Sequence, residues 1–502
     1  MSGASIEVIV TVPARSAAEA RGQLTACAAS GADAAEIRFD RWEEPRWDEI
    51  PSLFPAPLPL VATYRSRAEG GGGSDDATER QRRLELLDRL PFRYLDLERR
   101  RDGVLIDRLL ARDGPPRPIV STHLSATWQP SDVEEGLRRA PARGSALTKV
   151  VVPASVSALY ASLRPMLPIS SDRGPATLLT TGGSGPILRA LSSRLGLAAV
   201  YAAPSTTSGA SNIEPPVERS QIPIDALGPF LRRGPAGRLF ALLGHPVAHS
   251  LSPQMHDGWY AREGRHALFV PIDIHPEERF GECVDHLAHD GFDGFNVTHP
   301  WKQEALAFAS HASDDARRAG CANTLTRTAH GWSADNFDVR AVVRRARELH
   351  AASLWDGDDI LVLGAGGAAR AAVVAASILG ARARVLARDP VAAREIGVEL
   401  AQTDGPPASL VIHATTTGMA GNPRPITLDW EPYVRPTSYV LDMVYHPERP
   451  EIREGARRRG ASYEDGSRLL VYQASDCHRR WWGEAPGPEL EAWALREVVC
   501  AA

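Results

Sequence analysis

Residues 359–370 read DILVLGAGGAAR, an apolar run followed by a glycine turn and the start of an alanine-rich segment. This pattern predicts a strand, a tight turn and a helix. Gly364 allows the chain to reverse, Gly366 leaves room for a pyrophosphate to approach backbone N–H groups, and Ala369 takes the small third position of G-x-G-x-x-G/A. Similar turns also join strands and helices that bind nothing, so the fingerprint alone leaves both interpretations open.

A second apolar run, residues 383–387, ends at Arg388. In a dinucleotide-binding βαβ unit this position meets the adenosine ribose, where a guanidinium favours a 2′-phosphate. The next residue, Asp389, has the opposite preference because a carboxylate favours a free 2′-hydroxyl. The sequence therefore predicts a nicotinamide dinucleotide cofactor, with NADPH expected and NADH possible.

The composition predicts a cytoplasmic protein of two or three domains. The chain has 502 residues, of which 43% are hydrophobic and 24% charged, and this length exceeds that of one ordinary core. We find no apolar run of membrane-spanning length and no charged region ahead of the first strand-like segment. The net charge of -5 does not predict a nucleic-acid-binding surface. The five scattered cysteines predict neither a disulfide framework nor a zinc site.

Eight strand-like runs recur over the first 205 residues, with helix-like stretches between them. Eight strands alternating with helices predict a (β/α)₈ TIM barrel, whose chemistry lies at the carboxyl ends of the strands. The runs are EVIVTV (7–12), AEIRFD (35–40), LPLVATYR (58–65), YLDLE (94–98), PIVSTH (118–123), LTKVVVP (147–153), ATLLTTG (176–182) and AAVYAAP (198–204).

Charged side chains stand at or just beyond the ends of these runs. Each one alone is typical of a solvated rim or of a hydrogen-bonded core group. Lys149 is the most informative, because it precedes three valines in a strand that should be buried. Desolvation favours a neutral amine, which can attack a carbonyl to form a Schiff base. The set is Glu36, Arg38, Arg65, Glu98, His123, Lys149 and, in the loop after the seventh run, Arg189.

Seven segments of this region resemble type I 3-dehydroquinate dehydratase in that family's order: AEIRFD, TYRSRAEGG, LDLE, STH, LTKVVV, GGSGPILR and SQIPIDAL. The resemblance implies that Lys149 forms an imine with the substrate ketone and that His123 is the general base and acid. It implies that Glu98 lies in the site and helps to place His123. It also implies that the substrate is held by Glu36, Arg38, Arg65, Arg189 and Gln221. The chain departs from the family at VERS (217–220) and in an insertion at 205–216.

A new pattern begins after the segment GPFLRRGPAG (228–237), which we interpret as a linker. The segments that follow include HSLSP (249–253), GFNVTHPWKQEA (294–305), GCANTL (320–325) and SADNFD (333–338). We predict three domains: a barrel at 1–228, a substrate-binding domain at 238–340, and a nucleotide-binding Rossmann domain at 341–502 whose last helices return to the substrate domain.

These segments resemble shikimate dehydrogenase, together with GAGGAAR, HATTTGM, LDMVYHP and GSRLLVYQA. The resemblance implies a catalytic pair, Lys302 and Asp335, with Ser333 and Ala334 in place of the family's usual Asn-Thr before the aspartate. It implies substrate contacts from Ser250, Ser252, Thr298, Asn323, Tyr445 and Gln473. It implies cofactor contacts from Gly364, Ala365, Gly366, Gly367, Ala368 and Arg388. No metal is expected.

Taken together, the two resemblances imply a bifunctional enzyme of the shikimate pathway of aromatic amino-acid biosynthesis. A lyase site would dehydrate 3-dehydroquinate, and an oxidoreductase site would reduce the product, 3-dehydroshikimate, with NADPH. The expected partners are these small molecules, without nucleic acid or membrane. Two alternatives stay open: a catabolic quinate or shikimate enzyme that uses NAD, and a metabolite-sensing regulator with inactive sites.

Overall fold

The computed structural model describes residues 6–43, 46–138, 147–167, 174–205, 218–349, 358–401, 405–415, 417, 426, 428–445 and 450–500. Most of the predicted insertion at 205–216, Val217 of VERS, and parts of HATTTGM and LDMVYHP lie outside these residues. The chain divides into two compact units, one formed by residues 1–239 and 266–278 and the other by residues 240–265 and 279–502.

Eight parallel strands form the first sheet, in the order β7-β6-β5-β4-β3-β2-β1-β8, and the eight predicted strands are confirmed. The strands are β1 (Glu7–Val12), β2 (Ala34–Arg38), β3 (Leu60–Thr63), β4 (Tyr94–Glu98), β5 (Arg117–His123), β6 (Leu147–Pro153), β7 (Ala176–Thr181) and β8 (Ala199–Ala202). The α-helices are α1 (Ala17–Ala29), α2 (Ala77–Asp88), α3 (Gly103–Leu110), α4 (Pro130–Arg138), α5 (Val156–Ala158), α6 (Gly185–Ala190) and α7 (Ile224–Arg232).

The two ends of this strand order, β7 and β8, also meet. The backbone N–H of Ala198 donates to the carbonyl of Ala176 at 3.0 Å, and the hydroxyl of Thr177 donates to the carbonyl of Ala199 at 2.6 Å. Because these bonds bring the last strand against the seventh, the sheet curls into the predicted (β/α)₈ barrel.

Alternation along the strands separates an apolar layer inside the barrel from a polar one. Leu147 and Ile119 belong to a buried apolar cluster. Two residues further along their strands, Lys149 and Ser121 both bond to Asp96 instead. Successive inward-facing positions are two residues apart, so both of these strands present an apolar residue first and a polar one nearer the carboxyl end. The barrel interior therefore has an apolar layer, and polar side chains lie nearer the carboxyl ends of these strands.

The next six strands form a mixed sheet in the order β10-β9-β11-β13-β14-β12. The β11–β13 and β13–β14 pairs are antiparallel and β12–β14 is parallel. The strands are β9 (Arg238–Gly244), β10 (Ala267–Asp273), β11 (Phe292–Val297), β12 (His311–Ala312), β13 (Thr324–Thr328) and β14 (Gly331–Asp335). The helices are α8 (Ser252–Arg262), α9 (Phe280–His289), α10 (Lys302–Phe308), α11 (Asp314–Ala319) and α12 (Phe337–Leu349).

The last sheet is parallel throughout, in the order β17-β16-β15-β18-β19-β20, which confirms the predicted Rossmann-like region. Its strands are β15 (Asp359–Leu363), β16 (Arg382–Leu386), β17 (Glu399–Leu400), β18 (Ala408–His413), β19 (Val434–Asp442) and β20 (Ser462–Glu464). Its helices are α13 (Gly367–Ile378), α14 (Pro390–Arg394), α15 (Pro450–Arg458), α16 (Ser467–Trp482) and α17 (Pro488–Trp493). The order reverses between β15 and β18, and such a switch point opens a crevice at the carboxyl ends of the strands.

Two of the expected domain boundaries fall inside helices. Gly228 lies within α7 and Arg340 within α12. The predicted linker therefore begins within the last turns of α7. This helix buries Leu227, Phe230 and Leu231, which recur at helical spacing. Within the described residues, no helix combines the length and the hydropathy that crossing a bilayer requires.

Candidate active sites

A cavity of about 660 Å³ opens at the carboxyl ends of the barrel strands. Asp40, Glu69 and Tyr201, which were not predicted as site residues, also line it. Glu98 is the one predicted barrel residue that is not among its lining residues. The predicted residues that the structure brings together here are Glu36, Arg38, Arg65, His123, Lys149, Arg189 and Gln221.

The amine of Lys149 is buried among groups that hold it in place. Its Nζ donates to Asp96 Oδ2 at 2.6 Å, lies 3.7 Å from Glu36 Oε1 and sits 4.3 Å from the centre of the Tyr201 ring. Burial acts to raise the pKa of Asp96, but the cations of Arg65 and Lys149 outweigh it and hold that pKa well below its usual range. The lysine therefore points into the cavity beside an ionised carboxylate.

The carboxylate beside His123 is Glu69, in the place where Glu98 was expected. Oε2 of Glu69 lies 3.3 Å from His123 Nδ1 and accepts the His123 backbone N–H at 3.1 Å. Glu98 is turned away and accepts both the backbone N–H and the hydroxyl of Ser66, each at 2.8 Å. The structure thus corrects the expected partner of the histidine from Glu98 to Glu69.

The pKa values of this pair shift in opposite directions. Burial, reinforced by the cations of Arg65 and Lys149, lowers the pKa of His123 well below its ordinary value. Burial raises the pKa of Glu69 to about 7, although Arg65 acts against it. A neutral imidazole next to a carboxyl that titrates near neutrality is suited to accepting and returning a proton.

Arg65 connects the lysine side of the cavity to the histidine side. Its two terminal nitrogens donate to Asp96 Oδ1 at 2.7 Å and to Glu69 Oε2 at 3.0 Å. One guanidinium therefore orients both the carboxylate beside Lys149 and the carboxylate beside His123. Because guanidinium geometry is planar and rigid, this link fixes the spacing of the two groups.

Glu36 and Arg38 are also fixed by hydrogen bonds. Glu36 accepts the hydroxyls of Thr11 and Thr63 at 2.9 and 2.8 Å. Arg38 makes a bidentate pair with Asp40 at 2.8 and 2.9 Å. These contacts hold a carboxylate and a guanidinium at the cavity wall, where they can meet hydroxyl groups of a polyol substrate.

Arg189 supplies a buried positive charge. It lies on α6 instead of in the expected loop, and burial lowers its pKa to about 10. Gln221, also at the cavity wall, donates to the Thr11 hydroxyl at 3.0 Å. A buried guanidinium held by neutral oxygens is well suited to receive a substrate carboxylate. The carbonyls that hold it are those of Tyr201 at 3.1 Å and of Thr180 and Gly185 at 2.8 Å each.

In the second unit, Lys302 is paired with Asp338. Its Nζ donates to Asp338 Oδ2 at 2.6 Å, and the Asn323 amide donates to Asp338 Oδ1 at 2.9 Å. Burial lowers and Asp338 raises the pKa of Lys302, with a net shift upward. Lysine, aspartate and asparagine therefore form one hydrogen-bonded group at the starts of α10, α12 and β13.

Asp335 is not part of this group. It ends β14, and its Oδ2 lies 3.1 Å from Nε of Arg480. Asp338 lies three residues further on, in the first turn of α12, where the change from strand to helix turns its side chain toward Lys302. The structure thus corrects the lysine's expected partner from Asp335 to Asp338.

Four predicted substrate residues lie at or close to the ends of helices and strands: Tyr445, Ser250, Ser252 and Thr298. The Tyr445 hydroxyl bonds to Ser250, and burial raises the pKa of Tyr445. Ser250 Oγ also accepts the backbone N–H of Ser252 at 3.2 Å, at the start of α8. Thr298, directly after β11, packs so closely on Gly244 that a Cβ at Gly244 would lie 2.3 Å from its methyl group.

Gln473 reaches the Lys302 group through a buried thiol. Its Oε1 lies 3.8 Å from Cys477 Sγ, which lies 3.1 Å from the Thr324 hydroxyl. Thr324 in turn donates to Asn323 Oδ1 at 3.0 Å. The contacts therefore link Gln473 on α16 to the asparagine that holds Asp338.

The predicted cofactor residues Gly364, Ala365, Gly366, Gly367 and Ala368 form the turn between β15 and α13. Gly364 has φ 116°, and a Cβ there would lie 2.9 Å from the Ala414 carbonyl oxygen, so glycine is required. Gly366 faces open space and begins a 12-residue helix without a side-chain cap. Because its first N–H groups are left for an anion, this turn fits the pyrophosphate of a dinucleotide. A Cβ at Gly367 would lie 3.1 Å from Lys302 Cδ, so the turn is adjacent to the catalytic candidate.

Asp389 does not compete with Arg388 for the ribose position. Its Oδ1 accepts the backbone N–H groups of Val391 at 2.9 Å and Ala392 at 3.3 Å, as the N-cap of α14. Arg388 is exposed after β16. The carboxylate is thus occupied by the helix start, while the guanidinium remains at the crevice edge.

Sequence reasoning missed three carboxylates that contact the predicted lysines and histidine, Asp96, Glu69 and Asp338. All three lie in segments that carried the resemblance, LDLE, TYRSRAEGG and SADNFD. LDLE and SADNFD each contain two of the acidic residues concerned. The resemblance implies roles for Glu98 and Asp335, whereas Asp96 and Asp338 make the contacts with the lysines. We find no group of three or more His, Cys, Asp or Glu residues suited to hold a metal ion in the described part of the chain.

Two family models match the chain. The model of type I 3-dehydroquinase matches residues 8–217, and that of the shikimate dehydrogenase substrate binding domain matches residues 242–325. The two matches fall on the barrel and on the region that holds Lys302.

Curated relatives match the second half. The chain is 37% identical over 258 residues to shikimate dehydrogenase (NADP(+)) of Acidiphilium cryptum, covering 50% of this chain and 92% of that protein. It is 36% identical over 272 residues to the same-named protein of Anaeromyxobacter dehalogenans, covering 50% and 93%. A solved structure, dehydroquinate dehydratase and shikimate dehydrogenase from S. pombe AroM, is 21% identical with a TM-score of 0.42, covering 98% of both chains.

Proposed function

The chain belongs to the shikimate dehydrogenase family and carries a type I 3-dehydroquinase domain ahead of that region, and from this we propose how its residues perform both activities. It is a bifunctional enzyme: a lyase of the 3-dehydroquinase type and an NADP-type shikimate dehydrogenase. In our proposal the barrel dehydrates 3-dehydroquinate, and the second unit reduces the resulting 3-dehydroshikimate to shikimate.

One observation carries the assignment of the two sites. Lys149 and Lys302 are the only lysines among the 502 residues, in which all other basic side chains are arginine or histidine. Each amine donates to a carboxylate at 2.6 Å, Lys149 to Asp96 and Lys302 to Asp338. Arginine neither gives up its proton nor forms an imine, so the two lysines are the basic side chains suited to these two steps.

In the barrel, the Lys149 amine attacks the substrate ketone, and loss of water gives a protonated imine. The positive imine nitrogen acidifies the neighbouring C–H bond, and His123 removes that proton. The electrons of the C–H bond form the new double bond while the β-hydroxyl departs, protonated by the same imidazole, as a second water. Hydrolysis of the imine consumes one water, so the net change is loss of one.

The remaining barrel residues position the substrate. Arg189, buried and held by carbonyl oxygens, receives the carboxylate, while Glu36, Arg38 and Gln221 receive hydroxyl groups. Asp96 balances the charge that the imine places on Lys149, since it lies 2.6 Å from the amine nitrogen. Glu69 orients His123 through its contacts with Nδ1 and the backbone N–H.

In the second unit, Lys302 gives a proton to the ketone oxygen as that oxygen gains charge. Asp338 holds the lysine ammonium and, with Asn323, sets its direction. Ser250, Ser252, Thr298, Tyr445 and Gln473 bind the ring hydroxyls and carboxylate. The turn from Gly364 to Ala368 would hold a nicotinamide dinucleotide, which would supply the hydride when bound.

We expect NADPH to be preferred because Arg388 is available to pair with a 2′-phosphate while Asp389 is occupied as a helix cap. Replacing Arg388 with alanine should lower kcat/KM for NADPH about ten-fold or more and leave that for NADH within about two-fold. Asp389→Asn, which can still cap α14, is the matched control. An Arg388→Ala enzyme with an intact preference for NADPH would contradict this role.

The acidic limb of the dehydratase pH profile is expected near pH 7 and belongs to Glu69. Because the pKa of Glu69 is raised to about 7, its carboxylate is lost as the pH falls through that value. The pKa of His123 is lowered, so the imidazole stays neutral to more acidic pH. Glu69→Gln should reduce kcat/KM about 10- to 100-fold and remove the limb near pH 7. Persistence of that limb in the variant would assign it to another group.

Purified enzyme supplied with 3-dehydroquinate tests the whole proposal. The conjugated enone should appear, with its ultraviolet absorption, in the absence of cofactor, and should disappear when NADPH is added. A regulator with inactive sites would produce no enone. A catabolic enzyme would favour NAD and oxidation of quinate or shikimate over reduction with NADPH.

A further inference from the structure

A buried chain of hydrogen bonds joins Asp442, His413 and Thr415, none of which was predicted to be a site residue. His413 Nδ1 lies 2.9 Å from Asp442 Oδ1, and His413 Nε2 lies 2.7 Å from the Thr415 hydroxyl oxygen. His413 and Asp442 are fully buried, whereas Thr415 is half-buried. We call these three residues the Asp–His–Thr relay.

The relay joins the segments that follow two neighbouring strands. A carboxylate can only accept, so Nδ1 of His413 carries a proton, and in the neutral ring Nε2 accepts the hydroxyl proton of Thr415. The same hydroxyl oxygen accepts the backbone N–H of Thr417 at 3.3 Å. Asp442 Oδ1 accepts the backbone N–H of Val444 at 3.0 Å. The residues after β18 and after β19 are thereby held in one arrangement.

This arrangement lies at the switch point of the nucleotide-binding sheet. His413 ends β18, next to β15 and the glycine turn. A Cβ at Gly364 would lie 2.9 Å from the Ala414 carbonyl oxygen and 3.1 Å from the Thr415 methyl carbon. Because ligands of such sheets bind in the crevice between the loops at the switch point, Thr415 belongs to its wall.

A purely stabilising role accounts poorly for the relay. Buried ionic and polar groups are often no more stabilising than apolar residues of similar volume, because their desolvation offsets their attraction. Here the polar chain does not end in the core. It ends at Thr415, which is half-buried and lies so close to the turn that precedes α13 that a Cβ at Gly364 would be 3.1 Å from its methyl carbon.

We propose that the Asp–His–Thr relay positions the wall of the dinucleotide crevice. By fixing the Thr415 hydroxyl, it holds the Thr415 methyl group and the Ala414 carbonyl against the Gly364 turn before the cofactor binds, so that these atoms need not be ordered at the moment of binding. The inference rests on the proposed function, in which a nicotinamide dinucleotide occupies this crevice. The three residues act through the loop and are positioning residues.

Calorimetric titration of the full chain with NADPH tests the relay. Thr415→Val keeps the shape of the side chain but leaves His413 Nε2 without its donor, and should raise the Kd for NADPH about five- to thirty-fold. Thr415→Ser keeps the hydroxyl and should bind within about three-fold of wild type. Ser409→Ala removes a hydroxyl from the same strand that bonds to Arg435 instead, and should bind as wild type does.

A second measurement separates positioning from loss of structure. The KM for 3-dehydroshikimate and the midpoint of thermal unfolding should stay near wild type in Thr415→Val while the Kd for NADPH rises. Unchanged NADPH binding in Thr415→Val, equal losses in Thr415→Val and Thr415→Ser, or a parallel rise in the KM for 3-dehydroshikimate would each overturn the relay. A wild-type chain that binds and uses neither cofactor would overturn the proposed function as well.

Discussion

Replacing Lys149 with alanine is expected to lower the rate of 3-dehydroquinate dehydration by about 10⁴-fold or more. Lys149 is the sole amine among the side chains that line the described barrel cavity, so no neighbouring group can form the imine in its place. The reduction of 3-dehydroshikimate by the same preparation should be unchanged, because it depends on the other unit. The two rates, measured separately on one protein, check this expectation.

Borohydride trapping examines the covalent step directly. Reduction in the presence of 3-dehydroquinate should add a ligand-sized mass to the peptide that contains Lys149. The assignment is unusually clear because the chain offers only one other lysine, Lys302. The Lys302→Arg variant should be labelled as wild type is, and Lys149→Ala should not be labelled. A Lys149→Ala enzyme that still dehydrates at the wild-type rate would refute the imine mechanism.

Replacing Asp338 with asparagine is expected to lower kcat for the reduction of 3-dehydroshikimate by about 10²- to 10⁴-fold. The change keeps the size of the side chain and the oxygen that faces Asn323, but it removes the charge that holds the Lys302 ammonium at 2.6 Å. Asp335→Asn is the matched control and should retain kcat within about two-fold, because its carboxylate faces Arg480.

Dehydration by the barrel reports that the first unit of each variant preparation is intact, and the midpoint of thermal unfolding reports on the stability of the whole chain. A large loss in Asp335→Asn with little change in Asp338→Asn would reverse our assignment. Equal losses in both would indicate that the strand-to-helix segment 335–338 is needed as a whole.

Most of the fold could be predicted from the sequence. The eight barrel strands were recognised because each is a short apolar run bounded by turns, and the glycine fingerprint marked the first turn of the last sheet. These signals are local. The predicted boundaries at 228 and 340 fall inside helices, since glycine and proline mark possible breaks but α7 and α12 are held by the apolar residues that they bury.

The hydrogen-bond partners of the predicted site residues could not be predicted as well from the sequence. In LDLE, Asp96 and Glu98 both point inward at alternate positions, but only Asp96 reaches Lys149, because Glu98 is one level further along β4 and meets Ser66. In SADNFD, a strand ends and a helix begins between Asp335 and Asp338. The spacing of acidic residues in the chain does not reveal which one faces a cation on another element.

The sequence by itself determined that this chain has a parallel barrel and a dinucleotide fold, because strand periodicity and short motifs are properties of neighbouring residues. Through the resemblance of those motifs it also predicted Lys149, His123 and Lys302 as the reacting side chains. Only the tertiary structure decided that Asp96, Glu69 and Asp338 contact these groups, that Asp389 is a helix cap, and that Asp442, His413 and Thr415 form a hydrogen-bonded chain. Each of these depends on which side chains meet across separate elements, and a polar contact of 2.6 to 3.3 Å is decided by strand register and helix orientation.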